Sequence, residues 1–301
     1  YTGVGFSRIS VNPSLSIIYK LNYAWRFTVH ASYKERYGEM TDLYDRPYQT
    51  DYRNSVWNCG ILPVYRQQLY SVYGEYKSTA REFFATVNLT HNREWYNRIY
   101  EQRIENGQVQ RVSLPLSNHG SGYTVKSTLS KGFYDLGLKT SLMALLNISK
   151  AEQISGGQRL PYQYRLMRLE PKVIWTPNRH WETSYQTDIR YGGSKIGERT
   201  RLAPLWNVIQ QVQLSYIFSP IEASLSVDHY HNDVNEDQSV NAVFADFSVS
   251  WKSGRWQITA TATNLFDKRT YAYTRYASLE SYTSWVRIRP REFLVAIRYR
   301  L

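Results

Sequence analysis

Two stretches of this 301-residue chain concentrate side chains able to grip a small molecule. Between residues 38 and 65 lie Tyr44, Arg46, Tyr48, Tyr52 and Trp57; between 269 and 284 lie Tyr271, Tyr273, Arg275, Tyr276 and Tyr282. Aromatic faces stack on sugars or flat chelates, and an arginine fork clamps a carboxylate or phosphate through two parallel hydrogen bonds. The plainer alternative is that these tyrosines only pack loops and line an interface, although binding residues do concentrate on loops carried by a rigid scaffold. A third cluster, His229-Tyr230-His231-Asn232-Asp233 followed by Glu236 and Asp237, puts two imidazoles on one strand face. Such ligands suit a divalent transition metal, but the spacing fixes no third one, so neither a metal nor another cofactor is expected.

Catalysis finds no foothold. No serine lies in a nucleophile elbow or beside a diagnosable histidine and acid, Gly156-Gly157 is a turn signal instead of a phosphate loop, and His119 and His180 are isolated. The expectation is a non-enzyme. Cys59 is the single cysteine, which excludes an internal disulfide. The net charge is +12, yet the basic residues are spaced along strand faces and ends and form no single stripe. That pattern argues against nucleic acid and in favour of an anionic ligand.

The elements that would carry these loops are legible at the C-terminus. Phe293, Val295, Ile297, Tyr299 and Leu301 share one face of a strand, with Arg291, Arg298 and Arg300 on the other. A soluble sheet could bury only the first set and would have to end inside its own core. A transmembrane barrel instead shows that set to lipid and the arginines to its lumen. The same period of two runs through Trp25 to Lys34, Trp181 to Tyr191, Ile221 to Asp228 and Trp256 to Thr263. Weaker versions at 14–21, 66–77, 82–100, 121–130, 134–151, 163–175, 206–217 and 240–251 bring the count to thirteen. The chain is 15% aromatic with a mean hydropathy of -0.53, and no run of about 18 apolar residues exists to span as a helix. The predicted fold is all-β, an antiparallel transmembrane up-and-down β-barrel.

Connections alternate in length. Short ones fall at 22–24, 77–81, 176–179, 218–220 and 252–254; long ones at 38–65, 101–120, 152–162, 193–205, 229–239 and 269–284. Outer-membrane barrels keep tight turns on the periplasmic side and long loops outside. Trp25, Trp175, Trp181, Trp251, Trp256 and Trp285 sit at strand ends, as the two interfacial girdles require. Lumenal Arg26, Lys34, Arg190, Arg291, Arg298 and Arg300 are expected to pair with Glu182, Asp188, Glu222 and Asp228, and basic residues at the outer rim to meet lipopolysaccharide phosphates. Thirteen is odd, whereas a complete bacterial barrel has an even number of strands. Residues 1–301 are therefore expected to be the C-terminal portion of a larger barrel. A count of twelve or fourteen would leave a complete small barrel, acting as a passive porin or an envelope-structural protein.

Residues near the C-terminus also carry a resemblance. Thr263-Asn264-Leu265-Phe266-Asp267-Lys268-Arg269-Thr270-Tyr271, a loop of about fifteen residues, and then Arg289-Pro290-Arg291-Glu292-Phe293 resemble the end of the TonB-dependent outer-membrane receptors, most closely those of Bacteroidetes-type bacteria. Pro13-Ser14-Leu15-Ser16 and Ala31-Ser32-Tyr33-Lys34-Glu35-Arg36-Tyr37 look like mid-barrel strands of the same family. The resemblance implies a 22-stranded barrel with an N-terminal plug, importing a scarce nutrient such as a glycan, siderophore or other metal chelate. The plug and the segment that meets the TonB energy-transducing complex would lie in a missing N-terminal part. Phe293, Val295, Ile297, Tyr299 and Leu301 would then serve as the C-terminal signal for the barrel-assembly machinery. Other implied partners are outer-membrane lipid and, as in the glycan-importing branch, a surface lipoprotein.

Overall fold

The computed structural model describes residues 9–58, 60–105, 107–197, 200–234, 238–276 and 281–300. The strands are β1 (Ser14–Lys20), β2 (Trp25–Tyr37), β3 (Tyr48–Gln49), β4 (Asn54–Trp57), β5 (Val64–Ser78), β6 (Phe83–Tyr96), β7 (Ile99–Glu105), β8 (Gln108–Leu114), β9 (Asn118–Phe133), β10 (Leu138–Ser155), β11 (Gln158–Asn178), β12 (Trp181–Ile196), β13 (Thr200–Phe218), β14 (Ile221–Asp233), β15 (Ser239–Ser253), β16 (Trp256–Thr263), β17 (Thr270–Tyr276), β18 (Ser281–Arg287) and β19 (Glu292–Tyr299). Twelve antiparallel pairings string thirteen of them into one barrel wall, in the order β1, β2, β5, β6, β9 to β16, then β19. Each strand expected from period-two alternation is a wall strand.

Register lines up one apolar face across the wall. A single cross-strand row reads Ile17, Val29, Val72, Leu89, Val125, Leu146, Met167, Tyr191 and Trp206. All of these positions except the half-buried Tyr191 are exposed. On β11, Met167 and Leu169 are exposed, whereas the intervening Arg168 and the following Glu170 are half-buried on the other face. A soluble sheet shows the reverse, so the apolar face is built for lipid and the crowded polar face for the lumen.

Aromatic rows bound this belt. Near the tight turns Trp25 packs on Tyr76 at 4.8 Å, Trp181 on Tyr216 at 4.7 Å and Trp256 on Tyr299 at 4.8 Å between ring centroids. At the other edge Tyr70, His91 and Tyr123 stack in series, and Tyr191 packs on Trp206 at 4.7 Å. Trp181 and Tyr191, like Trp206 and Tyr216, are separated along their strands by the roughly 10 residues that a tilted strand uses to cross a bilayer. Trp285 departs from the expected girdle: it lies on β18, in a hairpin outside the wall.

The two ends differ as well. At one end every connection is tight, at 21–24, 79–82, 134–137, 179–180, 219–220 and 254–255. At the other, long insertions occupy 38–63, 97–117 and 264–291. The loops expected at 152–162, 193–205 and 229–239 are instead strand extensions. β10 and β11 stay paired up to Ser155 and Gln158, β12 and β13 up to Ile196 and Thr200, and β14 and β15 up to Asp233 and Ser239. Beyond the bilayer lipid no longer selects apolar side chains on one face, so the alternation fades while the backbone ladder continues.

Among the described residues β1 pairs only with β2 and β19 only with β16, and no pairing joins the two. Lys20 and Tyr299 both lie at the tight-turn end of their strands, so β1 and β19 run in the same direction. Leu301 lies outside the described residues.

Candidate ligand-binding rim

The insertion at 38–63 folds back on itself. Gly38 donates its N–H to the Pro63 carbonyl at 2.9 Å, Met40–Leu43 form a 3-10 turn, and the β3–β4 hairpin follows. Gly38 is required there, since a Cβ would lie 2.4 Å from Asp42 Oδ2 and 2.5 Å from the Pro63 ring. β4 then runs parallel to β8, β8 is antiparallel to β7, and β7 runs parallel to the tip of β10. These short strands branch from the wall sheet at the tip of β10 and knit two insertions to it. Its interior holds Ile99, Val112 and Ile154, all buried. Arg98 Nη1 donates to Asp42 Oδ1 at 2.7 Å, and the buried Asn58 Nδ2 donates to the Thr41 carbonyl at 3.1 Å.

On this support the expected aromatics stand out into solvent. Tyr44 and Tyr48 meet edge to face at 6.1 Å, and Tyr52 is 80% exposed with Arg53 over its ring at 5.4 Å. Trp57 Nε1 donates to Asp45 Oδ1 at 3.2 Å, leaving the indole face partly open, and Arg46 is exposed. Asp51 closes the hairpin: the Asn54 side chain, then the Arg53 and Asn54 backbone N–H groups, hold its carboxyl below the usual range.

Sequence reasoning missed a contribution from the β7–β8 hairpin. Arg111 sits 3.7 Å over the Tyr100 ring, with Arg98 at 5.0 Å, so this hairpin also presents an arginine-stacked aromatic. A second missed group lies where β5 and β6 rise above the upper aromatic row. There the Glu94 carboxylate accepts from Tyr65 Oη at 3.0 Å, Gln67 Nε2 at 3.1 Å, Asn92 Nδ2 at 2.8 Å and Tyr96 Oη at 2.8 Å. Gly122 opposite makes room, because a Cβ there would meet Asn92 Oδ1 at 2.4 Å. The signal was present in sequence as Glu94 and Tyr96 two apart, on the same strand face.

The second expected cluster has a different character. Asn264, with φ +50°, donates its side-chain amide to the carbonyls of Lys268 and Arg289, both at 2.8 Å, and accepts from the Lys268 N–H at 3.0 Å. Asp267 accepts from the Arg291 N–H and from the Arg269 guanidinium, which hold its carboxyl below the usual range. The Asn-Leu-Phe-Asp run is therefore a knot fastening the β17–β18 hairpin to the wall. Tyr271 packs on Tyr230 at 5.3 Å and accepts from Asn232 Nδ2 at 2.7 Å, so it anchors the hairpin. The side chains of Tyr273, Arg275, Tyr276 and Tyr282 lie outside the described residues. Among the described residues, no hydrogen bond or ring contact joins this hairpin to the 38–63 insertion.

Lumenal pairing follows expectation at Arg190, which reaches Asp188 at 2.6 Å, but Arg168 shares that carboxylate at 2.9 Å and also pairs with Glu170. Glu222 pairs with Lys252 at 2.6 Å instead of an arginine. His231 lies 3.2 Å from Asp233 and 2.9 Å from Asn241 Oδ1, and among the described residues no three potential metal ligands come together. Glu236 and Asp237 lie outside the described residues.

No protein-family model matches the sequence, and no curated protein matches it. Solved structures do. The ferric yersiniabactin uptake receptor FyuA of Yersinia pestis superposes with a TM-score of 0.46 at 7% identity, covering 96% of this chain and 50% of that one. FpvA of P. aeruginosa, bound to a pyoverdine and iron, gives 0.49 at 10% identity, covering 95% and 44%. The translocator domain of the autotransporter NalP of Neisseria meningitidis gives 0.30 at 10% identity, covering 93% and 89%. The chain spans about half the length of the first two. The likeness is distant, and what the protein does has to be read from its own residues.

Proposed function

We propose that this chain is part of the wall of an outer-membrane receptor that captures a scarce nutrient at its long-loop end for import. The observation that carries this reading is the asymmetry of the two ends. One is closed by tight turns alone, whereas the other supports insertions braced by short strands that branch from the wall and set with exposed Tyr44, Tyr48, Tyr52, Trp57 and Arg46. Stacking faces beside guanidinium forks suit a glycan, siderophore or other chelate, with an acidic ligand favoured by the net charge of +12. No catalytic step is assigned.

The open edges favour a larger barrel over a complete small porin. Direct closure of β1 on β19 would make a parallel seam in an otherwise antiparallel wall, and an unpaired edge has no water to satisfy it inside lipid. An odd number of further strands, nine in a 22-stranded barrel, would complete it. An N-terminal plug coupled to the TonB complex belongs to the same proposal. The test is ligand uptake by cells with and without the gene, before and after collapse of the inner-membrane proton gradient. Energised import predicts uptake that needs both. Uptake indifferent to the gradient would leave a passive pore, and uptake indifferent to the gene would remove the receptor role.

A further inference from the structure

On the lipid-facing side, directly above the Tyr70, His91 and Tyr123 stack, the next cross-strand row is polar. It reads Gln68, Arg93, Ser121, Lys150, Gln163 and Lys195, three cations with no carboxylate among them. Arg93 and Lys150 both stand opposite Ser121, one on each side, about 10 Å apart across two strand spacings. Both are exposed, and neither has a carboxylate partner among the described residues. In the row above, by contrast, Arg66 lies 3.6 Å from Glu35, and Glu152 takes up Arg159 at 3.0 Å. Two clefts flank the Trp95 and His119 pair on this face, about 500 Å³ beside Arg66 and about 420 Å³ beside Arg93 and Lys150; the second is also lined by Glu94 and Glu152, whose carboxylates are engaged by Tyr65, Gln67, Asn92 and Tyr96 and by Arg159. Below the row lie the stacked rings and then Leu89, Val125 and Leu146 of the apolar belt.

We infer that Arg93, Ser121 and Lys150 form a docking site for the sugar phosphate of an outer-leaflet glycolipid, whose acyl chains lie along Leu89, Val125 and Leu146. The row sits two residues, about 7 Å of strand, above the aromatic row, at the depth of the headgroups. Unpaired cations there meet a phosphate at short range, and the serine hydroxyl supplies a donor between them. The stacked rings beneath offer a surface for the sugar. This inference rests on reading the apolar face as the lipid-facing one.

The native protein, extracted whole from outer membranes, is reconstituted into nanodiscs holding either diphosphorylated lipid A or its dephosphorylated form. Insertion is scored by resistance to protease, and retained glycolipid by native mass spectrometry. Preferential retention of the phosphorylated form is expected, falling about 10- to 30-fold in the Arg93→Gln, Lys150→Gln double variant. Lys126→Gln on the lumenal face serves as the control and should change nothing. Insertion without a preference, or an unchanged preference in the double variant, would overturn the site while leaving the membrane wall intact. Failure to insert would overturn both. Displacement of the lipid by inorganic phosphate alone would make this a free-phosphate site and sink the glycolipid assignment.

Discussion

Arg98 and Asp42 are joined by a 2.7 Å ion pair in which both side chains are about four-fifths buried, and this pair locks the 38–63 insertion to the β7–β8 hairpin. Removing the cation with Arg98→Met would leave Asp42 buried without it, at a cost of about 1–3 kcal/mol. The expected result is faster amide exchange and proteolysis confined to 38–63, with the wall unchanged. Restoration of protection by adding Asp42→Asn would show that the stranded charge, not lost packing, is the cause.

Leu89 and Thr90 are neighbours on opposite faces of β6. Leu89→Arg places a charge within the apolar belt and should cost about 2–4 kcal/mol of folding stability in a bilayer, whereas Thr90→Arg faces the lumen and should cost far less. Folding titrations of both variants in lipid vesicles compare them directly. Equal penalties would contradict the assignment of the faces.

Tyr271→Phe deletes the oxygen that accepts from Asn232, a residue that is only 3% exposed. A loss of about 1 kcal/mol is expected, felt by the β17–β18 hairpin alone. Increased cleavage within 264–291, with no change in glycolipid or ligand retention by the rest of the wall, is the outcome to look for. A variant cleaved no faster than the parent would show that Tyr271 is not an anchor.

Asp267 supplies a pH dependence. Its carboxyl is held below 3.8 chiefly by the Arg269 side chain and then by the Arg291 backbone N–H. With the folded value depressed, the contribution is fully present above the unfolded value and fades as pH falls through the folded one. The Arg291 amide resonance should titrate with a midpoint below 3.8 and lose that transition in Asp267→Asn. A midpoint at or above 3.8 would remove Asp267 from the knot.

In the exposed rim, Tyr48→Ala and Tyr52→Ala truncate rings that nothing in the wall needs. On the proposed receptor role, each should weaken ligand capture by about tenfold without altering heat-resistant folding on a gel. Unchanged uptake by both variants would move the binding role to the β7–β8 hairpin, where Arg111→Ala is the corresponding probe.

Alternation revealed the thirteen wall strands because lipid on one side and crowded polar groups on the other impose a period of two on each of them. Where that contrast ends, so does legibility. β4 and β8 pair across 54 residues of chain, a relation that no local pattern encodes. The tips of β10 and β11 read as loop because Glu152, Gln153, Ser155, Gln158 and Arg159 break the alternation around Ile154 and Leu160. Arg168 went unnoticed between Met167 and Leu169, and only the structure brings Asp188 against it from the next strand. Tyr271 was legible as an aromatic near a loop, but its partner Asn232 lies 39 positions away.

β11 runs for 21 residues, roughly twice what a bilayer crossing uses. Its surplus, with that of β10, stands up as a post ending in Gly156 and Gly157, around whose Cβ positions nothing lies within 4 Å. A short epitope spliced there would ride clear of the surface sugars, so antibody binding to intact cells would report which way the wall faces without touching the belt.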